Sequence, residues 1–215
     1  MTRHAPALVQ IEGHESSWTI QRGNLRCNVV GLKDGGTCLY SPVEKTSKVV
    51  GEAAPIRFLL APNNYHNKAV LEHLAAFPQA EPVCSDKARP RLEKITGTTF
   101  GSLTELADAL PDHVTILEPD GLKTGEVWFR LQGDDGVTWI VTDAFCGVSE
   151  KKAPETTLGF LKSFPKYGLA DKKVFSAWVQ KQLKAETPNM IVPCHGGIVR
   201  GTDLKIDILA LLEQL

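Results

Sequence analysis

The chain has almost no net charge: 24 Lys and Arg stand against 25 Asp and Glu over 215 residues, a balance of -1. Without a basic surplus there is no electrostatic footprint for nucleic acid or an anionic membrane, so a small-molecule substrate or ligand is the expected partner. No stretch reaches the run of about 20 apolar residues that spans a bilayer. The amino-terminal MTRHAPALVQ has one Arg but no apolar segment of signal-peptide length. A soluble, cytoplasmic protein is expected. Cysteine is present but unorganised. Cys27, Cys38, Cys84, Cys146 and Cys194 make an odd count with no C-x-x-C pair, which argues against a disulfide framework or a Cys-type zinc knuckle. Most should be small buried side chains. The pieces DGG, GDDG and HGG lack the lysine and spacing of a phosphate loop. No long Pro/Gly/Ser linker interrupts the chain, and 42% hydrophobic content is ample for one core, so residues 1–215 are expected to form a single domain.

What is there is an alternation of strand and helix signals. CNVVGL, the turn KDGG and TCLYSP read as a hairpin, because Asp-Gly and Gly-Gly supply the positive φ of tight turns. EVWFRLQ, GDDG and VTWIVTD read as a second. IRFLLA is a continuous apolar run suited to the centre of a sheet, and MIVPC is another strand. NKAVLEHLAAF puts Val70, Leu71, Leu74 and Phe77 at helical spacing before Pro78. KARPRLEKITG and SLTELADAL are further helices, the second with Ser102 and Glu105 in capping-box spacing. DKKVFSAWVQKQLKAE should bury Val174, Trp178 and Leu183 and stop before Pro188, and TDLKIDILALLEQL should start at a Thr202 cap. The hairpins share a pattern, DGGTCLYS at 34–41 against DGVTWIVT at 135–142. Convergent turn chemistry and internal duplication explain it equally well. Duplication implies two β-rich halves with helices outside, an αββα sandwich.

Three apolar runs stop at side chains that bind metals: IRFLLAPNNYH at His66, VTWIVTD at Asp143 and NMIVPCH at His195. Ligands of sheet proteins gather at strand tips, so two imidazoles and a carboxylate in such places make a candidate site. His66 and Asp143 also have ordinary structural roles open to them, ordering the NNYH loop and capping a turn, whereas Gly196 and Gly197 after His195 imply a close backbone approach that suggests a site. His73 lies about two turns, or ~10 Å, beyond His66 and is a packing residue. His4, His14 and His113 carry no supporting context. Asn63, Asn64 and Tyr65 are either substrate-binding groups or members of a satisfied turn. Cys194 and His195 are adjacent in an extended run and point to opposite faces, which removes that nucleophile–base pair. A Cys146 nucleophile with a histidine base is a rival chemistry.

The segments GNLRCNVVGLKDGGTCLYSPV, IRFLLAPNNYHNKAVLEHLAAFPQA, GVTWIVTDAF and IVPCHGG together resemble the metallo-β-lactamase superfamily, in order and spacing, from residue 20 to residue 200. The resemblance implies an α/β fold, the four-layer αββα sandwich. Active members carry His-x-His-x-Asp-His after a central strand, followed by a later His, a bridging Asp and a final His. With His66 on the last motif position, Tyr65 replaces the Asp, Asn63 the second His and Ala61 the first; a register shifted by a residue or two makes His66 a different member. The later His has no counterpart in LEPDGLKTG. Where the first hairpin strand of familiar members ends in Asp, this chain has SPV. Asp143 matches the bridging Asp and His195 the final His.

By this resemblance the survivors, His66, Asp143 and His195, all belong to the second metal position of the family. One divalent ion is then expected, Zn²⁺ with an open coordination place or Fe²⁺ in a facial triad. Such an ion acidifies water toward neutral pH and polarises a carbonyl, which makes hydrolysis of a small ester, lactone or thioester the expected reaction, with Asp143 and His66 as catalytic residues. The other reading is a catalytically inactive domain that binds a ligand or partner through the old cleft.

Overall fold

Both Asp-Gly segments turn the chain, and each turn joins two interior strands of a sheet. The computed structural model describes residues 7–149 and 156–215, so His4 lies outside the described residues. The chain divides into two units, Met1–Pro111 and Asp112–Leu215. The first holds β1 (Val9–Gln10), β2 (Ser17–Arg22), β3 (Leu25–Gly31), β4 (Thr37–Tyr40), α1 (Ser47–Val50), β5 (Ile56–Leu60), α2 (Val70–Ala76), β6 (Glu81–Val83), α3 (Arg89–Thr96) and α4 (Leu103–Ala109). Its sheet runs in the order β1-β2-β3-β4-β5-β6. The hairpin turn is built as the sequence implies: Gly35 has φ 83°, and Asp34 Oδ1 accepts from Gly36 N at 3.0 Å. β5 is paired in parallel with β4 on one side and β6 on the other, which is why IRFLL can be apolar almost throughout.

One core of this unit gathers Ile20, Cys27, Val29, Leu39, Val50 and Leu59, with Leu74 and Phe77 packed against it; a smaller one holds Val70, Cys84, Leu92 and Phe100. The inward arc of α2 differs from the expectation. Leu71 is 49% exposed, while His73 is completely buried. Val70, His73, Leu74 and Phe77 make the i, i+3, i+4, i+7 stripe, and His73 tolerates burial because both ring nitrogens have partners, Nδ1 with Ala69 O at 2.9 Å and Nε2 with Thr46 Oγ1 at 3.3 Å. Ser102 caps α4, its hydroxyl accepting from Thr104 N.

The second unit holds β7 (Val114–Leu117), β8 (Trp128–Gly133), β9 (Gly136–Val141), β10 (Cys146–Ser149), β11 (Thr156–Gly159), α5 (Phe164–Tyr167), α6 (Lys172–Ala185), β12 (Pro188–Pro193), β13 (Val199–Arg200) and α7 (Leu204–Leu212). Its main sheet is ordered β13-β12-β9-β8-β7, and β10 and β11 form a separate ribbon. The core is aromatic: Trp128 lies 5.7 Å from Trp139, 5.6 Å from Phe145 and 5.4 Å from Trp178, ring centre to ring centre. On α6 the inward positions are Phe175, Val179 and Leu183, with Trp178 packed at the margin; Val174 is 46% exposed, contrary to expectation. Asp171 is the cap, its carboxylate accepting from Lys173 N and Val174 N, and burial of Phe175, Val179 and Leu183 leaves Val174 on the outward side. α7 begins one residue later than a Thr202 cap requires, with Asp203 in the cap position and no side-chain capping bond.

The sheets share one construction. In each, the second hairpin strand pairs in parallel with a strand from later in its unit, β4 with β5 and β9 with β12. They differ one place further out, where β6 is parallel to β5 but β13 antiparallel to β12. All five cysteines are buried thiols outside any disulfide. Among the described residues, no helix is long and apolar enough to cross a membrane.

Candidate functional site

Parallel pairing brings strand ends together, and in the second unit it does so with Val141 opposite Pro193. The ladder runs on for one bond, Cys194 N to Val141 O at 3.0 Å, and the chains then diverge. Asp143 and His195 each sit two residues past these paired ends. Their side chains meet: His195 Nε2 and Asp143 Oδ1 are 2.9 Å apart, both mostly buried. Two donors bound tetrahedrally at about 2.1 Å from an ion would be ~3.4 Å apart, so this pair has only to open by a few tenths of an ångström to exchange a bridging proton for a cation.

Glu126, just ahead of β8, holds this corner from beneath. It is 1% exposed. One carboxylate oxygen accepts from Asp143 N at 3.2 Å and the other from Trp128 Nε1 at 2.8 Å. Burial, and next the charge of Asp143, pushes the Glu126 carboxyl up to about 8. Sequence reasoning missed it, taking Glu126 only as the first letter of a strand; the available cue was a carboxylate set directly against the buried run VWF.

The glycines after His195 have a steric reason. Gly147 N donates to His195 O at 3.0 Å, and Gly147 and Gly196 form a parallel bridge. A Cβ on Gly196 would fall well inside van der Waals contact of Gly147 O, and one on Gly147 would do the same to Gly197 O. Backbone lies directly on backbone, and this anchors His195. Cys146, next to this crossing, is a poor nucleophile, because burial pushes its thiol up, away from the thiolate form.

The first unit repeats the arrangement with other residues. Tyr40 is opposite Leu60 at the end of the β4–β5 pair, and Ser41 N donates to Leu60 O at 3.0 Å. Beyond β5 the loop is shaped by Asn63, wholly buried, whose Oδ1 accepts from Tyr65 N at 2.8 Å and His66 N at 3.2 Å. That Asx turn presents His66, and its Nδ1 lies 2.7 Å from Ser41 Oγ. Thus Ser41–His66 in one unit and Asp143–His195 in the other are each a residue after a hairpin strand meeting a histidine after its parallel neighbour. Asn64 O accepts from Asn67 Nδ2 at 3.1 Å, and its side-chain oxygen is buried without a hydrogen-bond partner. Tyr65 is partly exposed, with the Arg91 guanidinium 5.1 Å from its ring centre.

By sequence, no family model and no curated protein matches the chain significantly. Solved structures do match. A metallo-β-lactamase from Pontibacter korlensis superposes with TM-score 0.61 at 14% identity, over 98% of this chain and 100% of that one. One from Hirschia baltica gives 0.64 at 13%, over 96% and 97%. The metal-soaked Flv1 flavodiiron core from Synechocystis gives 0.59 at 13%; it is matched by 97% of this chain, which spans only 60% of its length. The chain has the α/β fold of the metallo-β-lactamase superfamily.

Proposed function

We propose that His66, Asp143 and His195 hold one divalent cation, zinc or iron, and that the protein hydrolyses a small ester, lactone or thioester there. The carrying observation is the Asp143–His195 pair, mostly buried, at 2.9 Å, braced by Glu126 on one side and by the Gly147 crossing on the other. The donor chemistry supports the same reading: an imidazole follows a strand end in the first unit, and a carboxylate and an imidazole follow strand ends in the second. Two imidazoles and a carboxylate suit zinc or ferrous iron and leave coordination places open. A single ion is favoured because Ala61, Asn63 and Tyr65 occupy motif places that ligate in active members.

A bound cation supplies Lewis acidity toward a carbonyl and lowers the pKa of water toward 7. The chain's own part is to aim and to accept. The Asp143 carboxylate takes the proton of the attacking water, and His66 orients the reacting group. Asn63 shapes the loop, while the Asn64 amide and the Tyr65 phenol bind the substrate.

The test is a panel of lactones, aryl esters and thioesters assayed with added Zn²⁺, Mn²⁺ or Fe²⁺ and with chelator. Activity should appear with metal, vanish on chelation, fall below about pH 7 and be lost in His66→Ala. Asp143→Ala and His195→Ala should each lower metal content sharply, and two ions per chain would contradict the single site. The eroded motif favours a second reading, an inactive domain that binds a ligand or partner. It expects no turnover with any metal and no change in ligand binding on chelation. Turnover that survives both chelation and His66→Ala would exclude the metal chemistry.

A further inference from the structure

His66 is aimed by a residue in an unfavourable conformation. Ser41 has φ 58° and precedes Pro42, a combination of left-handed backbone and proline restriction that L residues seldom adopt. The conformation turns its hydroxyl onto His66 Nδ1, 2.7 Å away, in a place where Ser41 is 2% exposed. Among the described residues that nitrogen is the hydroxyl's one hydrogen-bond partner. Strain at a residue whose side chain makes one polar contact points to a role for that contact.

Proton accounting decides its direction. A serine hydroxyl has one proton to give and lone pairs to receive, whereas neutral imidazole has one donor and one acceptor nitrogen. With a proton on Nδ1, Ser41 Oγ would accept, and its own proton would be stranded in a buried place. With Nδ1 bare, the hydroxyl donates to it and both groups are satisfied. The neutral ring then carries its proton on Nε2. We propose that Ser41 is a positioning residue that holds metal-free His66 in the Nε2–H tautomer, and that cation binding at Nε2 reverses the bond. In that exchange the Nε2 proton leaves, Nδ1 gains one from solvent, and the hydroxyl rotates from donor to acceptor; no net proton is consumed. A carboxylate in this position could only accept and would hold Nδ1–H throughout, so the hydroxyl is what makes the ring convertible. The second half of the inference rests on the reading of His66 as a metal ligand; the first half does not.

The full chain, ¹⁵N-labelled and metal-free, near pH 8.5 where an ordinary histidine is neutral, tests the first half by long-range ¹H–¹⁵N correlation, with His66 assigned by its loss in His66→Gln. The wild type should show the Nε2–H pattern. Ser41→Ala and Ser41→Gly should both average the two tautomers, while Ser41→Gly, freed of the left-handed strain, should unfold at equal or higher urea. Added Zn²⁺ should convert the wild-type ring to Nδ1–H, and Ser41→Ala, which no longer holds the ring in the Nε2–H form that binding must give up, should bind Zn²⁺ at least as tightly. An Nδ1–H ring in the metal-free wild type, or an unchanged tautomer in Ser41→Ala, overturns the role of Ser41. A wild type that keeps Nε2–H and binds no Zn²⁺ refutes the metal reading and leaves the tautomer assignment established.

Discussion

Gly35 and Gly196 have nearly the same backbone conformation, φ 83° and 80°, in opposite surroundings. Nothing lies within 4 Å of a Cβ placed on Gly35, whereas a Cβ on Gly196 would collide with Gly147 O. Substituting alanine at both therefore separates conformational cost from packing cost. Gly35→Ala should lose about 1–2 kcal/mol, the penalty of a left-handed L residue. Gly196→Ala carries the same penalty, adds about 1–3 kcal/mol of overpacking and endangers the Gly147 N to His195 O bond, worth about 1 kcal/mol. The difference between the variants should be about 2–4 kcal/mol, read as the separation of their urea midpoints at equal slope. Because the collision is with backbone, no side chain can swing aside to relieve it. His195 should move with the displaced segment, and metal uptake should fall in Gly196→Ala but not in Gly35→Ala. Equal losses in the two variants would refute the backbone crossing as the anchor of His195.

Other perturbations reach other parts of the molecule. Burial holds the His73 ring below its ordinary pKa, so its contribution to stability is complete above the unfolded value of about 6.5 and is lost as pH falls through the folded one. Urea midpoints should drop on acidification from about pH 7 to 5 in the wild type, and less steeply in His73→Gln; identical slopes would contradict this. Glu126→Leu leaves the Asp143 N–H and the Trp128 Nε1–H without acceptors and should lose about 2–4 kcal/mol, while Glu126→Gln keeps one acceptor and should lose less. Chemical denaturation of both variants checks the order. If the Asp143–His195 pair binds the cation, Zn²⁺ titration should protect the wild type from urea in proportion to RT ln(1 + [L]/Kd) and give no protection to Asp143→Ala.

The elements themselves were legible because their causes are local. Asp-Gly between two largely apolar runs makes a hairpin from local causes, and both hairpins are present. A run such as IRFLL can only be buried on both faces, and β5 has a neighbour on either side. Strand tips bearing His66, Asp143 and His195 were readable for the same reason. Errors began where a helix must choose which way to face. Spacing alone allows Val174 and Leu71 to face inward, yet Phe175, Val179 and Leu183 on α6 and Val70 and His73 on α2 are the buried positions, so both valine and leucine meet solvent.

Amino-acid order alone thus determined the turns, the strand runs and the positions at which donors follow strands, since these depend on residues within a few places of one another. Partnership was decided only by tertiary structure. Ser41 finds His66 across 25 residues, Glu126 finds Asp143 across 17, and His195 finds Asp143 across 52. The first and last depend on parallel strands ending together, and parallel pairing needs a long crossover whose register no local pattern encodes; Glu126 and Asp143 meet across the open end of the antiparallel β8–β9 hairpin. Glu126 became a buried brace, and Ser41 a strained contact, only once those strand ends were brought side by side.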